Sequence, residues 1–221
     1  MTPYSRYTSD ITITAAGRDW VLHRPAELER LWDSMTESEF TDDERLPYWV
    51  ELWPASIALA DYLAGRKDML GGLCLDMGCG LGLTAMAASS FGAKVIAMDY
   101  EFEALVYARK NAVSNNVPQP VWTAMDWRSP AVKAGSCDLV WGGDIMYERR
   151  FVGPVMRFID HVLAPNGRVW MAEPNRDVYQ DFRSAVFQKG WKATKVYTGR
   201  LSAVYEQPEQ VSVTLWEITR G

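Results

Sequence analysis

The chain has 221 residues, 48% hydrophobic and 23% charged, which suits one domain, or one domain with an extension, around a substantial core. A net charge of −5 without any Lys/Arg run gives no nucleic-acid footprint, and no apolar stretch reaches the length of a membrane helix. Three irregularly spaced cysteines and two histidines make neither a disulfide framework nor a zinc motif. The opening MTPYSRYTSD lacks a charged-then-apolar leader, so the expected compartment is the cytoplasm.

In chain order, Ile11–Thr14 alternates apolar and polar residues, Ala15-Ala16-Gly17 turns, and Trp20–His23 runs apolar again, which predicts a hairpin. A short amphipathic helix is expected over residues 26–35. It runs into an exposed stretch from Asp33 to Arg45 holding six acids and one Arg. Residues 1–46 therefore read as an N-terminal extension and candidate lid, ahead of a domain over 47–221. Pro54 suits the first position of a helix carrying Ile57, Leu59, Ala60 and Leu63. Strands are then expected at Leu73–Met77, Lys94–Asp99, Val121–Ala124, Asp138–Gly142 and Arg168–Glu173, with helices at Leu83–Ser90, Phe102–Asn115, Phe151–Leu163 and Val178–Lys189. This alternation predicts an α/β fold, a Rossmann-like parallel sheet with helices on both faces. Ala193–Tyr197 and Gln210–Ile218 have no helix between them, only a polar loop with Gly199 and Pro208. They predict a C-terminal antiparallel hairpin that completes seven strands.

Leu73-Cys74-Leu75-Asp76-Met77-Gly78-Cys79-Gly80-Leu81-Gly82 carries the strongest signal. An apolar strand ends near an acid, glycines let the backbone turn tightly against a ligand, and a helix N-terminus follows. Two ligand classes compete here. Gly80 to Ala85 fits the dinucleotide pattern G-x-G-x-x-A, while Asp76 to Gly82 reads D-x-G-x-G-x-G. Asp76 would repel a pyrophosphate and attract an ammonium group, which favours S-adenosylmethionine. Asp99 closes the second strand, placed to accept ribose hydroxyls in either ligand class. Asp126 is a candidate acceptor for the adenine amino group, with Trp127 covering the ring edge. Each also fits a plainer role, Asp99 as a solvated strand end and Asp126 as part of a turn. Cys79 reads as a small filler.

Together these pieces resemble a class I S-adenosylmethionine-dependent methyltransferase over about residues 47–218, and more closely methyltransferase family 16. That group includes lysine methyltransferases such as the one acting on the electron-transfer flavoprotein β subunit. Pro47-Tyr48-Trp49-Val50-Glu51-Leu52-Trp53-Pro54 resembles the family's Pro-aromatic-Trp…Trp-Pro approach to its first helix, which implies that Trp53 lies beside the cofactor. Asp144-Ile145-Met146-Tyr147 fits the family's D-x-x-Y after the fourth strand. Glu173-Pro174-Asn175-Arg176 is similar to its D-P-x-R stretch, with Glu in place of Asp. The resemblance implies cofactor contacts from Trp53, Asp76, Gly78, Gly80, Asp99, Tyr100, Asp126 and Trp127, and catalytic positions at Asp144 and Tyr147. The Asn/Asp-Pro-Pro-aromatic loop of enzymes that methylate amide or adenine nitrogens is missing after the fourth strand, which disfavours those acceptors.

Methyl transfer from a sulfonium asks for alignment and a free lone pair more than for acid–base catalysis. The expected acceptor is an amine, a protein lysine first and a small-molecule amine second. Asp144 is expected to orient it and Tyr147 to offer a ring face and a hydroxyl. On local pattern alone Asp144 equally suits a helix cap. A binder that keeps the cofactor without turnover and a nicotinamide oxidoreductase are the remaining alternatives. No nucleic-acid, membrane or metal partner is expected.

Overall fold

The computed structural model describes residues 9–25, 47–202 and 210–221. The helix expected over 26–35, the acidic run and most of the candidate lid lie outside the described residues, as does Pro208. Strands β1 (Ser9–Ala15) and β2 (Arg18–Arg24) form the expected antiparallel hairpin. Its turn residues, Ala16 and Gly17, both take positive φ, the geometry that matches the twist of a two-residue hairpin. Alternation along β2 buries Trp20 and Leu22 and leaves Val21 exposed.

The remaining strands are β3 (Leu73–Met77), β4 (Lys94–Asp99), β5 (Val121–Ala124), β6 (Cys137–Gly143), β7 (Leu163–Glu173), β8 (Lys192–Ser202) and β9 (Gln210–Thr219). They form one seven-stranded sheet in the order β5-β4-β3-β6-β7-β9-β8. The pairs from β5 to β7 are parallel, and β9 runs antiparallel to both β7 and β8. Among the described residues the α-helices are α1 (Pro54–Ala64), α2 (Leu83–Ser90), α3 (Phe102–Ser114), α4 (Val152–Val162) and α5 (Val178–Gln188). Among the described residues the sequence expectation holds in kind for each strand and helix, with two shifts. Gly199 is inside β8, paired with Val213, because β9 offers a partner along its whole length. β7 begins at Leu163, which pairs with Cys137 before a register shift carries the chain to Arg168.

Successive residues of each buried strand face opposite sides of the sheet. Leu75, Met77, Val140, Val169 and Met171 pack against α4 and α5 through Val155, Phe158, Ile159 and Phe182. Cys74, Val95, Leu139, Trp141 and Trp170 pack the other way, against α1 and α2. The order reverses between β4 and β6 on either side of β3, and a crevice at the carboxyl ends of the strands opens at such a switch point.

The hairpin docks on the helices of that second face, where Trp20 and Leu22 join Leu81, Leu83, Met86, Ala104 and Ala112. Two buried amides fix it, Asn111 on α3 and Asn115 at its C-terminal cap. Asn115 accepts the Val21 N–H at 3.0 Å and donates to the Val21 carbonyl at 2.7 Å. Asn111 does the same for His23 at 2.7 and 3.2 Å. Residues four apart on a helix lie about 6 Å apart, and residues two apart on a strand about 6.6 Å, so the two amides act as a short third strand. Asn111 also donates to the Leu81 carbonyl at 3.0 Å, which ties the hairpin to the glycine loop. At the end of β2, Arg24 and Glu51 form a buried ion pair at 2.7 Å.

Candidate functional site

A cavity of about 740 Å³ opens at the switch point, within the roughly 300–1,000 Å³ usual for small-molecule sites. Its floor is the glycine loop. Gly78, Gly80 and Gly82 all take positive φ, and the Gly78 and Cys79 N–H groups both donate to the Met98 carbonyl at 2.9 Å. A Cβ on Gly78 would come within 2.8 Å of Ile145, so the loop passes too close to the β6 exit for any side chain there.

Asp99 lies across the loop and is buried. It accepts the Gly80 N–H at 2.8 Å through one oxygen and the Glu101 N–H at 3.0 Å through the other. Burial raises its pKa, and the N–H groups of Glu101, Gly80 and Tyr100 oppose that shift. Gly78, Gly80, Tyr100, Asp126, Trp127 and Trp53 all line the same cavity, as do Asp144 and Tyr147. The Asp126 carboxylate is engaged locally by Arg128, whose backbone N–H donates to it at 2.7 Å and whose Nε does so at 2.8 Å.

Asp76 departs from this pattern. It shares a strand face with Cys74, toward α2, so its carboxylate lies beneath the loop instead of lining the cavity. There it accepts the Thr84 hydroxyl, and Thr84 itself faces the cavity from the first turn of α2. Any effect of Asp76 on a ligand is thus relayed through the loop and Thr84. Burial pushes its pKa up to about 7, against the Thr84 hydrogen bond. The nearby Trp141 indole also works to lower it. A carboxyl that keeps its proton more firmly when folded favours the native state at low pH. That contribution is complete below the unfolded pKa and is lost as pH rises through about 7. Asp76→Asn should therefore flatten the stability curve and gain at most about 4 kcal/mol near pH 8 relative to pH 4. Urea unfolding at both pH values reads the effect, and parallel curves for the two proteins would refute it.

At the far end of the cavity the chain leaves β6 through Asp144, whose backbone turns left-handed at φ 53°. Asp144 caps no helix, since the next helical turn starts at Arg149. Its buried carboxylate is held by Arg176, which donates from Nε and Nη2 to the two oxygens, each at 2.9 Å. Burial raises the Asp144 pKa, and Arg176 works against the shift. Rings then follow one another around this end. Tyr147 lies 4.9 Å from Tyr48 and 5.1 Å from Phe151, Phe151 lies 5.3 Å from Trp127, and Tyr48 lies 6.1 Å from Trp53. Trp53 precedes α1 and anchors its indole N–H on the Tyr48 carbonyl at 3.0 Å. Burial raises the Tyr147 pKa, so its hydroxyl stays protonated. Burial likewise holds the Cys79 thiol well above its usual value, in keeping with a filler.

Sequence reasoning gave no role to Arg176, Thr84 or Phe151. Arg176 stood in a quoted motif, and Thr84 stands eight residues after Asp76 at the start of a helix. Phe151 carried no signal.

Residues 74–167 match the family model described as a methyltransferase domain. The electron transfer flavoprotein beta subunit lysine methyltransferase of Danio rerio is 31% identical over 139 residues, 61% of this chain and 53% of that protein. The histone-arginine methyltransferase METTL23 of Mus musculus is 27% identical over 128 residues, 55% of this chain and 51% of that protein. The chain spans about half the length of the curated relatives it matches. A 16S rRNA methyltransferase of T. thermophilus, solved in complex with AdoMet and guanosine, superposes with a TM-score of 0.64 at 12% identity. It covers 97% of this chain and 51% of that one. The chain has the fold of class I methyltransferases. It resembles the flavoprotein lysine methyltransferases, and S-adenosylmethionine is the cofactor that goes with its domain. The cavity suits that molecule in three respects: a floor where Gly78 has no room for a side chain, the buried Asp99 carboxylate beside it, and an aromatic wall. Among the described residues no helix is long and apolar enough to cross a membrane.

Proposed function

We propose that this protein methylates a lysine side chain of a protein substrate, using S-adenosylmethionine held by Trp53, Gly78, Gly80, Asp99, Tyr100, Asp126 and Trp127, with Asp76 supporting the loop from below. The observation that carries this reading is the arc of aromatic rings around the Asp144 end of the cavity. When bound, the cofactor supplies a methyl group on a positively charged sulfur, in line with a nitrogen lone pair. The residues facing that line position the acceptor. A free lysine has a pKa of about 10.4 and arrives mostly charged. Ring faces at Tyr48, Tyr147 and Phe151 attract the ammonium by about 0.5–2 kcal/mol, while their bulk removes water and so favours its deprotonation. The Tyr147 hydroxyl and Asp144 then fix the nitrogen. The cavity is lined by carboxylates and, among the described residues, by no histidine or lysine; in this reading the proton leaves to water at the mouth.

The lysine relative supports the choice of acceptor, and the arginine relative makes arginine an outcome to check. The test is transfer of labelled methyl groups from S-adenosylmethionine into proteins of a cell lysate, beside Asp144→Ala. The expected result is a labelled lysine, with label reduced at least about 100-fold in the variant and cofactor affinity kept. Label only in small molecules or on arginine would overturn the lysine assignment, and label unaffected by the variant would remove Asp144 from the site.

A further inference from the structure

Resting on the amine acceptor proposed above, we propose that Arg176 is a positioning residue that neutralises Asp144, so that the acceptor meets a hydrogen-bonding partner instead of a bare anion and sheds its proton. The geometry is that of a built device. β6 and β7 are neighbours in the sheet, with Gly143 opposite Ala172, so their exit loops leave side by side. Each loop turns through a left-handed residue, Asp144 at φ 53° and Asn175 at φ 59°. Asp and Asn tolerate that conformation better than most residues. Hydrogen bonds hold both turns. The Asp144 N–H donates to the Ala172 carbonyl at 2.8 Å. Asn175 donates to the Ser212 carbonyl at 3.2 Å and accepts the Thr214 hydroxyl at 3.0 Å. The outcome is a two-pronged contact between guanidinium and carboxylate, the strongest arrangement for such a pair.

Its consequence is electrostatic. The Asp144 side chain is 2% exposed and that of Arg176 38%, so the carboxylate is enclosed while the cation closes its outer side. An unpaired carboxylate beside the acceptor would hold it as ammonium, and an opposite charge at such range shifts a pKa by about 1–3 units. The two-pronged pair cancels that field yet leaves lone pairs on both oxygens to align an N–H. Of the other charged or titratable groups, Tyr48 before α1 and Tyr179 on α5 face the pair, Glu173 at the end of β7 faces Tyr179, and Asp99, Glu148 and Arg150 face Tyr147 across the cavity. The nitrogen's electron pair forms the new N–C bond as the C–S pair returns to sulfur. The secondary ammonium so made must lose its proton before another transfer, under the same control.

Two readouts test this. The first needs no acceptor: titration of n-butylamine into protein saturated with S-adenosylhomocysteine, near pH 7. Arg176→Met should bind the amine about tenfold more tightly than the wild type, and the double variant Arg176→Met/Asp144→Asn should lose that gain. Unchanged, weaker or absent binding in Arg176→Met overturns the proposal. The second uses the labelled acceptor protein. In Arg176→Met, KM and kcat should both fall, and the pH of half-maximal rate should rise by about one unit. Arg176→Lys, which keeps the charge and loses the fork, should hold the wild-type pH midpoint at a reduced rate. It also serves if Arg176→Met does not fold. A purely structural role would lower the rate equally at every pH, and that result would overturn the proposal. A lysate without labelled lysine sinks the lysine assignment alone, because the butylamine titration reads the pair directly.

Discussion

Asp99→Asn should weaken S-adenosylmethionine binding by at least about 100-fold while the folded protein keeps its stability to within about 1 kcal/mol. The split follows from what the carboxylate does in each state. Without cofactor, Asp99 is a buried anion whose desolvation opposes the two backbone N–H groups it accepts. Losing that charge relieves the desolvation, while the new amide meets one of the two N–H donors as a donor itself. The two effects offset each other in stability. In the proposed cofactor site the same carboxylate would accept the ribose hydroxyls. Hydrogen bonds to an ionised group contribute about 1.5–3 kcal/mol each, so two of them give the factor quoted. Affinity should also fall in the wild type as acidification protonates Asp99, and at a higher pH than an ordinary aspartate would require, since its pKa is raised. Calorimetric titration beside urea unfolding measures both quantities. Equal affinity in the two proteins would place the ribose elsewhere.

The strands of the main sheet were legible because β3, β4 and β6 are buried on both faces and read as short apolar runs punctuated by glycine or acid. The glycine loop was legible for the same local reason. The side of the sheet on which Asp76 lies was legible in principle, since period-two alternation puts it with Cys74, away from Leu75 and Met77. The pairing of Arg176 with Asp144 joins residues 32 positions apart and exists only because β7 lies next to β6. No local pattern reports that adjacency. The length of β8 was hidden in the same way, because its polar residues become a strand only against β9. The hairpin itself was visible by alternation, but its attachment was not, since two asparagines one helical turn apart look like a solvated surface until β2 is laid across them.

That attachment ties the hairpin to the glycine loop, and Asn111→Leu should therefore cost both stability and affinity. Asn111 is fully buried and makes three hydrogen bonds beyond its own helix: it accepts from His23 N–H and donates to the carbonyls of His23 and Leu81. Leucine fills similar space but leaves those partners without Asn111, and each buried polar group stranded in this way costs about 1–3 kcal/mol. A loss of about 3 kcal/mol or more in unfolding free energy is the expected result. Freed from Asn111, the Leu81 carbonyl no longer fixes the loop between Gly80 and Gly82, so cofactor affinity should fall by about tenfold in protein that is still folded. Asn115→Leu supplies the contrast. Asn115 holds Val21 and the Asn111 carbonyl, and among the described residues its side chain makes no hydrogen bond to the loop, so its loss should weaken the hairpin and leave affinity nearly unchanged. Two variants on one helix face, equal in kind and different only in reach, thus separate a brace from a passive appendage. If both lower affinity alike, or neither does, the hairpin does not support the loop through Asn111.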